Sequence, residues 1–300
     1  MSESSGYRYL RPEAVARLKN LSLTARSVVE GFISGLHKSP YHGFSVEFAD
    51  HREYTPGDNI RYLDWLALAR TDRYFVKQFE EDTNLRCMIL LDTSGSMGYA
   101  SSGGLSKLEY GCFLAASLAY LMIRQQDSVG LVTFDNEIRN NIPPRGSETH
   151  LNVLLRRLEQ VQPGEITRVG NIFHHLAETL KRRGLIIIIS DLYDDPKEVM
   201  RGLRHFRHKR HEVILFHVFD PAELTFPFER LTQFVDLETT ERLQVDPKYV
   251  RDEYRALIAA FINGYRRDCS EGLIEYVVTD TSVPYDRMFT AYLSRRKRFS

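Results

Sequence analysis

In MILLDTSGSMGYA (Met88–Ala100), three oxygen-bearing side chains, Asp92, Ser94 and Ser96, alternate directly behind an apolar run. Gly95 and Gly98 leave the backbone free to turn among them. Two later segments carry matching chemistry. Thr167 lies in GEITRVGN (Gly164–Asn171), ahead of a helical pattern, and Ser190 and Asp191 end the apolar run LIIIISD. Two carboxylates and several neutral hydroxyls are hard oxygen donors. That set suits Mg2+, with Mn2+ or Ca2+ as alternatives. With only two carboxylates around it, a divalent ion keeps part of its positive character and can accept one more carboxylate from a partner. The set holds no evident general base or nucleophile, which favours recognition over catalysis. Ser, Thr and Asp at strand-to-helix turns are also common caps, so each residue has a plainer reading. Ser190 is not counted as a ligand.

Such residues meet only if the chain places them at one edge. After residue 85, apolar strand patterns alternate with amphipathic helical ones: strand Arg86–Leu91, helix Lys107–Arg124, strand Ser128–Phe134, an edge strand near Ile138–Ile142 and helix His150–Gln160. Helix Asn171–Arg182, strand Leu185–Ser190, helix Lys197–His208 and strand Glu212–Val218 continue the rhythm. This alternation predicts an α/β fold with a doubly wound, mostly parallel sheet. LIIIIS is uniformly apolar, as a central strand covered on both faces must be. In such a sheet, ligands sit at the carboxyl ends of the strands, where Asp92 and Asp191 fall. Beyond Phe219 the sequence reads as a turn-rich stretch, a long helix over Pro247–Arg267, strand Ile274–Thr279 and a terminal helix from about Tyr285.

Ahead of this rhythm, residues 12–36 space their apolar positions at three and four, which predicts one or two helices. Ser45–Tyr54 and Tyr74–Glu81 read as strands separated by a Thr-Pro-Gly-Asp turn. The expected division is therefore an N-terminal helical and β appendage over 1–84 and a larger domain over 85–300.

Forty Lys and Arg balance forty Asp and Glu, so no overall field draws the chain to nucleic acid or anionic lipid. The most continuous apolar helical run, Phe113–Ile123, is too short to span a bilayer. MSESSGYRYL lacks a basic start followed by an apolar run, and the expectation is a cytoplasmic product without membrane insertion. Cys87, Cys112 and Cys269 are far apart and form no CxxC pair, so they read as small buried hydrophobes.

DTSGS resembles the Asp-x-Ser-x-Ser motif of von Willebrand factor A-type domains, whose metal-ion-dependent adhesion site also takes a Thr and an Asp from two later loops. TRVGN is similar to that family's Thr-x-x-Gly loop, and Asp191 follows a strand as the family's final Asp does. The resemblance implies a metal site of Asp92, Ser94, Ser96, Thr167 and Asp191, completed by an Asp or Glu from a partner protein. A second resemblance lies in FADHREYTPGDNIRYLDW (Phe48–Trp65) and the LARTDRYFVKQFEE that follows it. These segments are similar to a prokaryotic family of uncharacterised A-type-domain proteins found with MoxR-type AAA+ ATPases, through Arg52, Tyr54, Pro56, Gly57, Asp58, Arg61, Asp64, Trp65 and Arg70. It implies an ATPase partner. Read as residues alone, Arg52, Arg61 and Arg70 could pair Asp58 and Asp64 and lock the appendage in place, with Trp65 filling the seam. The other reading is a partner-docking face of Arg52, Asp58, Arg61, Asp64, Trp65 and Arg70, because Arg and aromatic residues are favoured at hot spots.

Other signals are weaker. His205 and His208 stand one helical turn apart but lack a supporting Cys or HExxH pattern, so they read as a solvated basic helix end. His174 reads as surface helix or as a residue behind the metal loop. The basic SRRKRF near the C-terminus reads as solvated. A haloacid dehalogenase-type phosphatase needs an Asp where Ser94 stands, and neither GxxxxGK[ST] nor GxSxG occurs. The expected function is a non-catalytic, metal-dependent protein-binding adaptor acting with a AAA+ ATPase in assembly or maturation of other proteins. The alternatives are a metal-dependent phosphohydrolase and a metal-free structural scaffold.

Overall fold

A computed structural model describes residues 21–22, 25–26, 28–30, 51–53, 74–77, 85–101, 103–164, 169–237, 241–285, 288–289 and 292–293. β1 (His51–Glu53) and β2 (Phe75–Lys77) form a short antiparallel pair. The six-stranded sheet that follows consists of β3 (Arg86–Asp92), β4 (Ser128–Phe134), β5 (Ile138–Arg145), β6 (Leu185–Ser190), β7 (Glu212–Phe219) and β10 (Glu275–Asp280). Its order is β10-β7-β6-β3-β4-β5, parallel throughout except for β5.

The alternation of the strands decides which face each side chain enters. In β3, Cys87, Ile89 and Leu91 join one core, while Met88 and Leu90 join the other. The first core lies under α1 (Lys107–Arg124) and α2 (Glu148–Glu159), and the second under α3 (Val169–Thr179), α4 (Pro196–His208) and α6 (Pro247–Glu271). Every residue of β6 is buried, as its unbroken apolar run requires. The first core also takes Leu21, Ala25, Val28 and Val29 from near the N-terminus and Tyr285, Met288, Phe289, Tyr292 and Leu293 from near the C-terminus. The three cysteines are free and buried.

β5 runs on past the expected Ile142 to Arg145, through Pro143 and Pro144. Proline is tolerated there because an edge strand pairs on one side only. The stretch after Phe219, expected to consist of turns, holds a short helix, α5 (Pro221–Thr225), and a hairpin of β8 (Thr232–Val235) with β9 (Arg242–Val245). Both were hidden from the pattern because one is a single capped turn and the other leaves much of its apolar surface exposed, including Leu243 at 65%. No helix among the described residues is long and apolar enough to cross a membrane.

Candidate metal centre

Asp92 is the last residue of β3, the central strand between β4 and β6, and it is fully buried. Its two oxygens are fixed separately. Oδ1 accepts from the Ser94 amide at 2.9 Å, and Oδ2 accepts from the Ser190 hydroxyl at 2.5 Å. The chain then turns through a short 3-10 segment, Gly95–Gly98, anchored by the buried Met97. This turn brings the Ser94 and Ser96 hydroxyls within 3.1 Å of each other; Ser94 is buried and Ser96 half-buried.

The loop that leads towards Thr167 is held to the same edge. The Gly164 amide donates to the Thr93 carbonyl at 2.6 Å, and Thr93 donates its own hydroxyl to the Phe134 carbonyl at 2.9 Å. A Cβ on residue 164 would lie 2.2 Å from Asp135 Oδ2, so a side chain there would have to push the Asp135 carboxylate aside. Thr167 itself lies outside the described residues.

Asp191 directly follows β6 and is fully buried. Behind it, Leu192 adopts a left-handed backbone (φ 54°) and donates its amide to Ser190 Oγ at 2.9 Å. The Asp191 carbonyl is bonded to His217 Nε2 at 2.8 Å, and Tyr276 Oη lies 2.7 Å from His217 Nδ1. Burial pushes the His217 pKa down to about 3, so the ring is neutral and donates through Nε2. Asp191 Oδ2 accepts from Lys107 Nζ at 2.7 Å, whereas its Oδ1 is buried and has no hydrogen-bond partner among the described residues.

Lys107 was absent from the sequence-derived set. It opens α1 behind a Ser106 capping box, and its side chain is fully buried, between Asp191 and Glu223 Oε1, each at 2.7 Å. Burial works against its charge, but the two carboxylates outweigh that penalty and its pKa lies above the usual lysine range. Glu223 belongs to a capping box with Asp220 at the start of α5. Its pKa is raised by burial, against the pull of Lys107. Glu223 also borders a cavity of about 450 Å3 lined by Tyr99, Phe226, Phe228, Phe234 and Tyr254.

Asp92 is pushed up to about 7, first by burial and then by the charge of Asp191, against its hydrogen bonds from Ser190 and Ser94. A carboxylate driven towards protonation, a second with one buried oxygen lacking a hydrogen-bond partner among the described residues, and two touching hydroxyls together make a buried, oxygen-rich cluster. The donor set fits a hard divalent cation. Among the described residues, no group of three or more His, Cys, Asp or Glu side chains is placed to hold an ion, so any site here depends on the hydroxyls.

The structure thus brings together Asp92, Ser94, Ser96 and Asp191, and adds Ser190, Lys107 and Glu223 around them. Ser190 had a signal in its place beside Asp191, and Lys107 had one as the charged first residue of an otherwise apolar helix face. Glu223 had none. Of the appendage residues, Arg52 lies in β1, while Asp58, Arg61, Asp64, Trp65 and Arg70 lie outside the described residues. His174 and His205 approach each other at 3.0 Å between Nδ1 atoms, and His205 Nε2 lies 2.8 Å from Glu178 Oε1, a contact between α3 and α4.

Residues 50–261 match the family described as protein of unknown function DUF58. The chain belongs to this family. Among similar proteins is an uncharacterised protein of Mycobacterium tuberculosis (strain H37Rv), 27% identical over 254 residues, covering 83% of this chain and 79% of that one. The uncharacterised protein YeaD of Bacillus subtilis is 27% identical over 129 residues, 43% of this chain and 30% of its own length. In solved structures, the DUF58 chain is similar to an aerotolerance-related membrane protein from Bacteroides fragilis, with a TM-score of 0.50 and 18% identity over 70% of this chain and 99% of that one. At that identity the likeness concerns the α/β fold alone.

Proposed function

We propose that this DUF58 protein is a non-catalytic, metal-dependent protein-binding module whose cation sits at the carboxyl edge of the sheet. Asp92, Ser94, Ser96, Thr167 and Asp191 would hold the ion, in the pattern of a von Willebrand factor A-type adhesion site. Mg2+ is the favoured ion, with Mn2+ or Ca2+ as substitutes. The observation that carries this reading is Asp191 Oδ1, buried without a hydrogen-bond partner among the described residues and within electrostatic reach of a second buried carboxylate. A buried acceptor without a partner is costly, and a cation removes that cost.

When bound, the ion supplies a Lewis-acidic coordination position for a partner's Asp or Glu. The chain's own residues orient the oxygens. Ser190 and the Ser94 amide fix Asp92, Lys107 fixes one oxygen of Asp191, and the His217–Tyr276 pair fixes the Asp191 backbone. Partnership with a MoxR-type AAA+ ATPase is supported by the motif Arg52–Arg70 alone. In that reading the appendage docks the ATPase while the metal edge engages the protein being assembled or matured.

A metal-free scaffold is the second reading, and Lys107 is what favours it, because its ammonium already balances part of the buried charge. Calorimetric titration of the EDTA-stripped protein with Mg2+ and Mn2+ separates the two. Saturable binding is expected in wild type and lost in Asp92→Ala, and partner capture should require the metal. Capture that persists undiminished in EDTA would rule out the metal-dependent reading.

A further inference from the structure

A lysine with no exposed surface, bonded to one of the two carboxylates of a cation site, opposes the cation that the site would hold. Buried lysines are rare and costly, and this one is not needed to cap α1, whose capping box is made by Ser106 and Glu109. Its second partner, Glu223, makes a Lys107–Glu223 pair that is neutral overall but has its positive end on Asp191. Asp191 therefore shares its charge with an internal cation before any ion arrives. Oδ1 is the oxygen of Asp191 that has no hydrogen-bond partner among the described residues.

We propose that Lys107 makes the ion conditional on the partner: its ammonium weakens divalent-cation binding to the free protein, and a carboxylate brought by the partner restores firm binding. The inference rests on the metal-dependent reading above and adds its regulation. Metal and acidic partner then bind with positive cooperativity, because each raises the affinity for the other by the same factor. Lys107 satisfies Asp191 Oδ2 without any ion. A module built this way avoids holding an exposed, reactive cation when no partner is present. The device is electrostatic, so removing the two ends of the Lys107–Glu223 pair should move ion affinity in opposite directions.

The test is calorimetric titration of Mn2+ into wild type, Lys107→Met, Glu223→Gln and Asp92→Ala. Each is measured in sodium chloride and in sodium acetate at equal ionic strength, with acetate as the carboxylate probe, and circular dichroism melts confirm folding. Lys107→Met should bind Mn2+ at least about tenfold more tightly than wild type, and Glu223→Gln at least about tenfold more weakly. Acetate should tighten Mn2+ binding in wild type more than in Lys107→Met. Weaker or unchanged binding in folded Lys107→Met overturns the proposal, because a merely structural lysine gives that result. Where Lys107→Met does not fold, Glu223→Gln decides, and unchanged or tighter binding overturns it. If wild type binds Mn2+ no better than Asp92→Ala, with and without acetate, the metal-dependent reading itself fails. If wild type binds through Asp92 but ignores both acetate and the charge of Lys107, only the present inference fails.

Discussion

Asp92→Asn in the metal-free protein nearly preserves the shape of a buried side chain while removing its charge, so it isolates what that charge costs. The Asp92 pKa rises from 3.8 to about 7 through burial and the neighbouring Asp191. A gap of that size corresponds to about 4 kcal/mol of stability. The direction follows from proton binding. At pH 6 the folded protein holds a proton on Asp92 that the unfolded chain has released. This contribution is therefore full below the unfolded value and is lost as the pH rises through about 7. Between pH 5 and pH 8 it falls by about 2.5 kcal/mol. The variant escapes this loss but must re-house the Ser190 hydroxyl proton, at a cost of about 1–2 kcal/mol at every pH. Urea unfolding in EDTA, followed by circular dichroism from pH 5 to 8, reads both. The two proteins should be nearly equal at pH 5, and Asp92→Asn should be ahead by about 2–3 kcal/mol at pH 8. A difference that stays constant across that range would refute the account of Asp92 as a buried, charge-crowded carboxylate. Adding Mg2+ at pH 8 should raise the stability of wild type and leave the variant unchanged.

Ser190→Ala removes the hydroxyl that orients Asp92 without removing a proposed ligand, and should cost about 10–100-fold in Mn2+ affinity by calorimetry. Equal affinity would mean that Ser190 only shapes the turn. Gly202→Ala would place a Cβ 2.6 Å from that of Phe173 where α4 crosses α3. The resulting overpacking should lower stability by about 1–3 kcal/mol, read as a fall in melting temperature, and an unchanged melt would contradict that crossing.

The elements that build the sheet could be read from the chain because each obeys a local rule. α1 begins where Ser106 and Glu109 form a capping box, so its bounds agree with the Lys107–Arg124 expected from periodicity. β6 matches at both ends because only a strand covered on both faces tolerates LIIIIS. Val169–Thr179 starts and stops earlier than the expected Asn171–Arg182: the apolar period fits both frames, while packing of Val169 and Gly170 against α4 selects one. The β8–β9 hairpin escaped notice because a two-stranded unit with exposed apolar residues lacks the alternation of a half-buried strand.

The sequence by itself determined the residue types of the candidate site and the strand ends that carry them, because an Asp after an apolar strand and hydroxyls spaced by glycine are local facts. It also determined the α/β alternation that brings such strand ends to one edge. Tertiary structure alone decided the electrostatic state of those residues. Lys107 and Asp191 are 84 positions apart, and Lys107 and Glu223 are 116, and no local pattern foretells that their side chains will meet in a buried triad. Nor does any pattern foretell that Ser190 will bond Asp92 across 98 positions, or that one oxygen of Asp191 will have no hydrogen-bond partner among the described residues. Charge in a protein interior is set by what surrounds it on every side. Those surroundings come from strands and helices far apart in the chain.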